Sequence, residues 1–172
     1  MTALYEPFLA TLSPGALILD VGCGSGRDSL AFLRRGFRVT ALEPCEALAA
    51  HAEMLLGQPV TRQRAQKVNA EDTFDGIWAC ASLLHVPASE TPAVLARLAR
   101  ALRPGGVLYV SYKLGRGERV EDGRFFHDLT EEAVRRLLEA ASFAVDVLWV
   151  TDDARPGRSQ RWVNALARRE AS

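Results

Sequence analysis

Residues 17–43 read LILDVGCGSGRDSLAFLRRGFRVTALE, and the division of this stretch decides the fold. It opens on an apolar run, Leu17, Ile18 and Leu19, with the pattern of a buried strand that Asp20 and Val21 close. Gly22-Cys23-Gly24-Ser25-Gly26 follows, a turn whose glycines can take backbone angles that other residues avoid. Leu30, Phe32 and Leu33 supply the apolar side of a helix, and Gly36 supplies its stop. Arg38 to Leu42 is a second strand, ending on Glu43. The whole is a β-α-β unit with its glycine turn at the carboxyl end of the first strand, where open α/β sheets bind ligands.

Two cofactor classes use such a turn. The dinucleotide fingerprint G-x-G-x-x-G/A needs a small last residue so that helix can pack on strand. Counted from Gly22, that slot holds Arg27, so the fingerprint fails. What stands here is G-x-G-x-G preceded by Asp20, which resembles the first motif, D/E-x-G-x-G-x-G, of the class I S-adenosylmethionine (SAM) methyltransferases. The resemblance implies SAM as cofactor, held at Asp20, Gly22, Cys23, Gly24 and Gly26. Glu43 follows Gly22 at about the twenty-residue spacing at which an acid meets a ribose, and its carboxylate can accept from both ribose hydroxyls.

Working outward, the 172 residues suit one domain with a single core, 1–172. Acidic and basic residues balance at 21 each, so no global field draws the chain to nucleic acid or membrane. Cys23, Cys45 and Cys80 lie far apart, without the paired spacing of zinc or redox sites, so no metal is expected. Scattered reduced thiols and the absence of an apolar signal run in residues 1–16 lead to the expectation of a cytoplasmic home. Those residues hold a small helix with Leu4, Phe8, Leu9 and Leu12 on one stripe and little room for a lid. Tyr5 faces either the cofactor pocket, as a substrate-binding candidate, or the core.

After Pro44, a helix carries Leu48, Ala52, Leu55 and Leu56 as its stripe and ends at Gly57; His51 on it is a solvated residue. A weak strand spans Val60 to Arg64. The family places a polar residue just after it, against the adenine, and here Gln66 and then Asn69 are the candidates. Phe74 to Ala81 is a clear strand, similar to the family's fourth-strand motif, which implies that Ala81 and Ser82 lie beside the cofactor. His85, just beyond, is the catalytic candidate, with a structural hydrogen bond as its other reading. A helix from Thr91-Pro92, buried through Val94, Leu95, Leu98 and Leu102, stops at Arg103-Pro104-Gly105-Gly106 before a strand Val107 to Tyr112.

Lys113 to Asp128, KLGRGERVEDGRFFHD, reads as a long charged loop on the cofactor side. Its Lys113, Arg116, Arg119 and Arg124 suit an anionic acceptor, unless they merely pair with Glu118, Glu121 and Asp122. Thr130 caps a helix, Phe143 to Val150 is a sixth strand, and Trp162 to Ala167 a seventh, antiparallel one. The implied architecture is α/β, a Rossmann-like class I methyltransferase fold. It has a seven-stranded sheet in the order 3-2-1-4-5-7-6, parallel except for the last strand, with helices on both faces. Gly24 to Leu30 and the F-D-G-I-W-A-C-A-S-L-L-H-V segment are similar to small bacterial tellurite-resistance-type methyltransferases, which implies a metalloid oxyanion or another soft small-molecule nucleophile as acceptor. Two other readings stay open: an RNA methyltransferase using Arg155, Arg158 and Arg161, and a catalytically idle SAM-binding partner subunit. The oligomeric state is not written in the sequence.

Overall fold

Strand residues in a parallel sheet covered on both faces must be apolar on both, and the strands here alternate between two separate cores. The computed structural model describes residues 2–170. In chain order the elements are α1 (Thr2–Leu9), β1 (Leu17–Val21), α2 (Arg27–Leu33), β2 (Arg38–Leu42), α3 (Glu46–Leu56), β3 (Val60–Thr61) and β4 (Phe74–Ala79). Then come α4 (Thr91–Ala101), β5 (Leu102–Lys113), β6 (Gly117–Glu121), β7 (Arg124–Asp128), α5 (Glu131–Ala140), β8 (Phe143–Asp152) and β9 (Arg161–Arg169). Short 3-10 turns occupy Ala65–Lys67 and Leu83–His85.

The main sheet runs β3-β2-β1-β4-β5-β9-β8. Pairing is parallel as far as β5, and β9 is antiparallel to both its neighbours. Setting the β6-β7 pair aside, this is the expected order. Ile18 and Trp78 point to one face, against Phe8 of α1, Phe32 of α2 and Ala49 and Ala52 of α3. Leu19 and Ile77 point to the other, against Val94, Leu95 and Leu98 of α4 and Val134 and Leu138 of α5. Gly76 is where α1 comes closest: a Cβ there would stand 2.8 Å from the Phe8 ring.

Three sequence expectations are corrected. The stretch 113–128 is not an open loop. Asp122 (φ 50°) and Gly123 (φ 72°) form the two-residue turn of a hairpin that pairs β6 with β7, from Gly117↔Asp128 to Glu121↔Arg124. Positive φ at both turn residues matches the right-handed twist of the strands, which is why Asp-Gly favours hairpins. The helix α3 buries Ala49 and Ala52, not Leu48 and Leu55, because it packs too near the glycine turn for large side chains. A Cβ on Gly26 would already lie 3.1 Å from the Ala52 Cβ. Finally, Arg103-Pro104-Gly105-Gly106 does not end before the fifth strand but bulges from it: Phe74 pairs with Leu102 and Gly76 with Val107. Thr130 caps α5 as expected, its hydroxyl accepting from the Ala133 amide at 3.2 Å. Of the span 1–172 expected to form one domain, residues 1, 171 and 172 lie outside the described residues.

Candidate active site

The glycine turn is anchored by β2. The amides of Gly22 and Cys23 both donate to the Leu42 carbonyl, at 2.8 and 2.9 Å. Gly22, Gly24 and Gly26 all have positive φ, so side chains there would be strained. At Gly22 space is lacking too, since a Cβ would stand 2.7 Å from the Ser82 Cβ. Glu43 closes the turn from β2's end: Oε2 accepts the Gly24 amide at 2.9 Å and Oε1 the Cys45 amide at 2.8 Å. Each carboxylate oxygen has room for about two acceptor bonds, so each keeps one for a ligand.

These residues open on a cleft of about 450 Å³ lined by Gly22, Gly24, Glu43, Pro44, Gln66, Ala81, Ser82 and His85. Leu48, 42% exposed at the start of α3, gives it an apolar wall. The Ser82 hydroxyl is buried with no hydrogen-bond partner among the described residues. Such a group is costly unless a ligand or water meets it. Gln66 reaches the cleft while its amide donates to Glu90 at 2.9 Å. Asn69 turns away and accepts weakly from Arg100 at 3.4 Å.

Asp20, Cys23 and Gly26 do not line the cleft. Asp20 is buried under the turn and accepts from the Ser29 hydroxyl at 2.6 Å. Burial, partly offset by that hydrogen bond and reinforced by nearby Asp28, pushes its carboxyl up to about 7. Burial also pushes the Cys23 thiol up to about 12, so it is neutral and unreactive. Asp28, which the sequence reading passed over, is the hub of this region. Its carboxylate accepts from Tyr5 Oη at 2.7 Å, Arg27 Nε at 2.6 Å and Trp78 Nε1 at 2.9 Å. It thereby ties α1 and β4 to α2. Tyr5 is therefore a core anchor: it is buried, edge-on to Phe32 and Trp78, and lines neither cavity of the site.

A second cavity of about 470 Å³ adjoins the first, and the two share Ala81, His85 and Arg124. Its walls come from β4, β5, the β6-β7 hairpin and the β8-β9 connection, including Tyr109, Lys113, Phe126 and Trp162. At the junction Ala81 takes a left-handed conformation, φ 50°, held by its amide donating to the Ser111 hydroxyl at 2.9 Å. A non-glycine residue there stores strain of about 1–3 kcal/mol. His85 is fixed from the hairpin: Nδ1 donates to the Phe125 carbonyl at 2.7 Å. That leaves Nε2 as the acceptor, and Arg124 Nη2 donates to it at 3.0 Å. Burial lowers the imidazole's basicity, the Phe125 carbonyl partly opposes this, and Arg124 and Lys113 lower it further.

The five expected acceptor-side residues separate. Lys113 lines the second cavity, with its ammonium 3.7 Å from the Phe126 ring centroid and 3.7 Å from a Glu121 oxygen. Arg119 is tied to Asp128 at 2.6 Å and Glu121 at 2.7 Å and lines neither cavity; Arg116 is exposed and lines neither. Tyr5 is in the core. Arg124, expected among the basic residues suited to an anionic acceptor, lines both cavities, and the Asp122-Gly123 hairpin signal would have placed it there.

The comparisons with known proteins agree with this geometry. Residues 18–106 match the model of the Methyltransferase domain family, more than half of the chain. The chain is 37% identical over 105 residues to the ubiquinone biosynthesis O-methyltransferase of Xanthomonas campestris pv. campestris, covering 57% of this chain and 43% of that protein. It thus spans less than half the length of the curated relatives it matches. A SAM-dependent methyltransferase of Methanosarcina mazei superposes with a TM-score of 0.84 at 22% identity, over 98% of this chain and 99% of that one. The 1,6-didemethyltoxoflavin-N1-methyltransferase of Burkholderia thailandensis, solved with 1,6-didemethyltoxoflavin and S-adenosylhomocysteine bound, also gives 0.84, at 27% identity over 98% of this chain and 77% of that one. The chain belongs to the methyltransferase-domain family, and its fold is the one that SAM-dependent methyltransferases share. The tellurite-resistance subgroup finds no support among these relatives. Among the described residues no helix is long and apolar enough to cross a membrane, and no cluster of metal-ligating side chains occurs.

Proposed function

We propose that this protein transfers the methyl group of SAM to a small-molecule acceptor seated in the second cavity. The observation that carries this reading is the meeting of two cavities at Ala81, one floored by the glycine turn and the other walled by aromatic and cationic residues. In this reading Glu43 holds the ribose with its two remaining acceptor sites. Leu48 and Pro44 flank the adenine, and Gln66 lies at its edge. Gly22 and Gly24 admit the methionine part close to the backbone, where the orphaned Ser82 hydroxyl gains a partner. Bound SAM supplies an electrophilic methyl carbon. The protein's own contribution is alignment of the acceptor, worth roughly 7–11 kcal/mol in favourable cases.

The volume of the second cavity falls in the range of pockets for organic ligands, which are roughly 300–1,000 Å³. A metalloid oxyanion would leave most of it empty, so we favour an organic acceptor over the oxyanion that the sequence resemblance implied. An RNA acceptor is disfavoured on charge: of its three arginines, Arg155 is already bound to Asp153 at 2.6 Å. The test is a screen with methyl-labelled SAM against phenols, hydroxy acids, thiols, metalloid oxyanions and total RNA. Label in an organic small molecule is the expected result. Label only in RNA or oxyanion, or SAM binding with no transfer to any pool, would refute the reading.

A further inference from the structure

His85 and Arg124 are the two polar side chains shared by both cavities, and they bond to each other. Most other cations along the second cavity have acidic partners: Arg27 has Asp28, Lys113 has Glu121 and Arg155 has Asp153. Arg124 has no carboxylate within ion-pair distance among the described residues; what it holds is a neutral imidazole nitrogen. A guanidinium spent on an imidazole is poorly satisfied compared with one on a carboxylate, to which it can donate two parallel bonds. An anion entering the cavity would therefore draw Arg124 off His85. The imidazole would stay in place, since its Nδ1–H remains bonded to the Phe125 carbonyl. Its Nε2 lone pair would then face the acceptor, next to the anion's new site.

Resting on the function proposed above, we infer that the acceptor is an anionic hydroxy compound whose carboxylate takes Arg124 and whose neighbouring hydroxyl is thereby presented to His85 as general base. The 3.0 Å between Arg124 Nη2 and His85 Nε2 sets the scale: hydroxyl and carboxylate must be neighbours on one acceptor, as in an ortho-hydroxybenzoate. In the transfer step His85 Nε2 takes the hydroxyl proton as the oxygen bonds to the methyl carbon of SAM. The carbon–sulfur bond breaks with its electron pair going to sulfur. The products are S-adenosylhomocysteine and a methyl ether, and the proton passes from His85 to water. Arg124 thus blocks the base until an acceptor of the right charge arrives. The groups facing the His85 ring are Arg124 and the Phe125 carbonyl from β7, Lys113 at the end of β5, and Glu43 beyond β2. Displacing Arg124 onto a carboxylate removes one of the two cationic influences that hold the imidazole basicity down.

The experiment uses the whole chain saturated with S-adenosylhomocysteine, labelled with nitrogen-15 in its histidines, with salicylate and phenol as probes. His85 should give the Nδ1–H tautomer in the free protein. Salicylate should move its ring signals and raise its pKa, while phenol should not, and salicylate should bind at least tenfold more tightly than phenol. In Arg124→Gln that preference should fall below twofold. His85→Gln should keep salicylate affinity within threefold, yet in the labelled-SAM screen lower kcat about a hundredfold or more with little change in KM for hydroxy-acid acceptors. Equal binding of the two probes, no binding of salicylate, or an unmoved His85 signal would overturn the inference. Failure of the wild-type chain to bind S-adenosylhomocysteine would instead sink the function it rests on.

Discussion

Glu43→Gln separates the brace that this carboxylate forms from the ribose binding proposed for it. In the free protein its oxygens each accept a backbone amide, Gly24 at 2.9 Å and Cys45 at 2.8 Å. Glutamine keeps the shape but has a single acceptor oxygen, and its NH2 group must face one of those amides. One part-buried N–H loses its partner, which costs at most about 1–3 kcal/mol. For a chain of this size that lowers the melting temperature by roughly 2–12 °C. The second job is the ribose binding proposed above, for which the carboxylate has one acceptor site left per oxygen. Hydrogen bonds to a charged group contribute about 1.5–3 kcal/mol and neutral ones about 1. Losing one and neutralising the other costs about 2–4 kcal/mol, a weakening of SAM binding of roughly 30- to 1000-fold. Calorimetric titration with SAM, beside thermal unfolding of the same preparation, reads both effects. Stability lost with SAM affinity within threefold of wild type would refute the ribose role and leave Glu43 as a structural brace. Unchanged stability would refute the brace.

Three further substitutions test neighbouring claims. Gly22→Ala meets a left-handed φ, costing about 1–2 kcal/mol, and the Ser82 Cβ, costing about 1–3 more by overpacking. Urea unfolding should show a loss of about 2–5 kcal/mol together with weakened SAM binding, and a normal SAM titration would show that the turn yields freely. Asp28→Ala leaves Tyr5 Oη and Trp78 Nε1 buried without an acceptor, so stability should drop by about 2–6 kcal/mol; a loss under about 1 would mean that water replaces the carboxylate. Asp20 carries the pH prediction. Its folded pKa, about 7, lies above the ordinary carboxyl value of 3.8, so the folded state binds its proton more tightly than the unfolded chain does. Its favourable contribution is complete below about pH 4 and is lost as pH rises through about 7. Wild type should therefore lose stability relative to Asp20→Asn between about pH 4 and 7, and parallel urea midpoints across that range would disprove the raised pKa.

The cofactor half could be read because its signals are local. Glycine turn, flanking strands and terminal acid all fall within residues 17–43, and each is set by backbone geometry or by a side chain's reach along the chain. What escaped was set by contacts distant in sequence. Asp28 gathers donors from residues 5 and 78, and nothing beside it in the sequence marks that role. Leu48 fits a helical stripe, yet the close approach of α3 to Gly26 gives the inward positions to alanines and leaves Leu48 facing the cleft. The β6-β7 hairpin is the exception, because its Asp122-Gly123 turn was local and legible. The surrounding glycines and charges drew the reading toward an open loop. Once the hairpin forms, it decides which cations reach the second cavity: Lys113 and Arg124 line it, while Arg119 is consumed by Asp128 and Glu121.

That hairpin leaves the sheet and returns to it at almost one point. Leu114 bridges Leu129, the Leu129 amide donates to the Lys113 carbonyl at 3.0 Å, and the Gly115 amide donates to the Leu129 carbonyl at 3.2 Å. An excursion whose two ends already touch can be lengthened or shortened at its tip with little added closure cost, since loop closure grows only slowly with length. This wall of the second cavity is in this sense an interchangeable cassette clipped to a fixed chassis. A different hairpin set between Leu114 and Leu129 would alter which molecules are admitted without disturbing Gly22, Gly24 or Glu43. Selectivity in this scaffold can thus be re-engineered, or drift, one hairpin at a time.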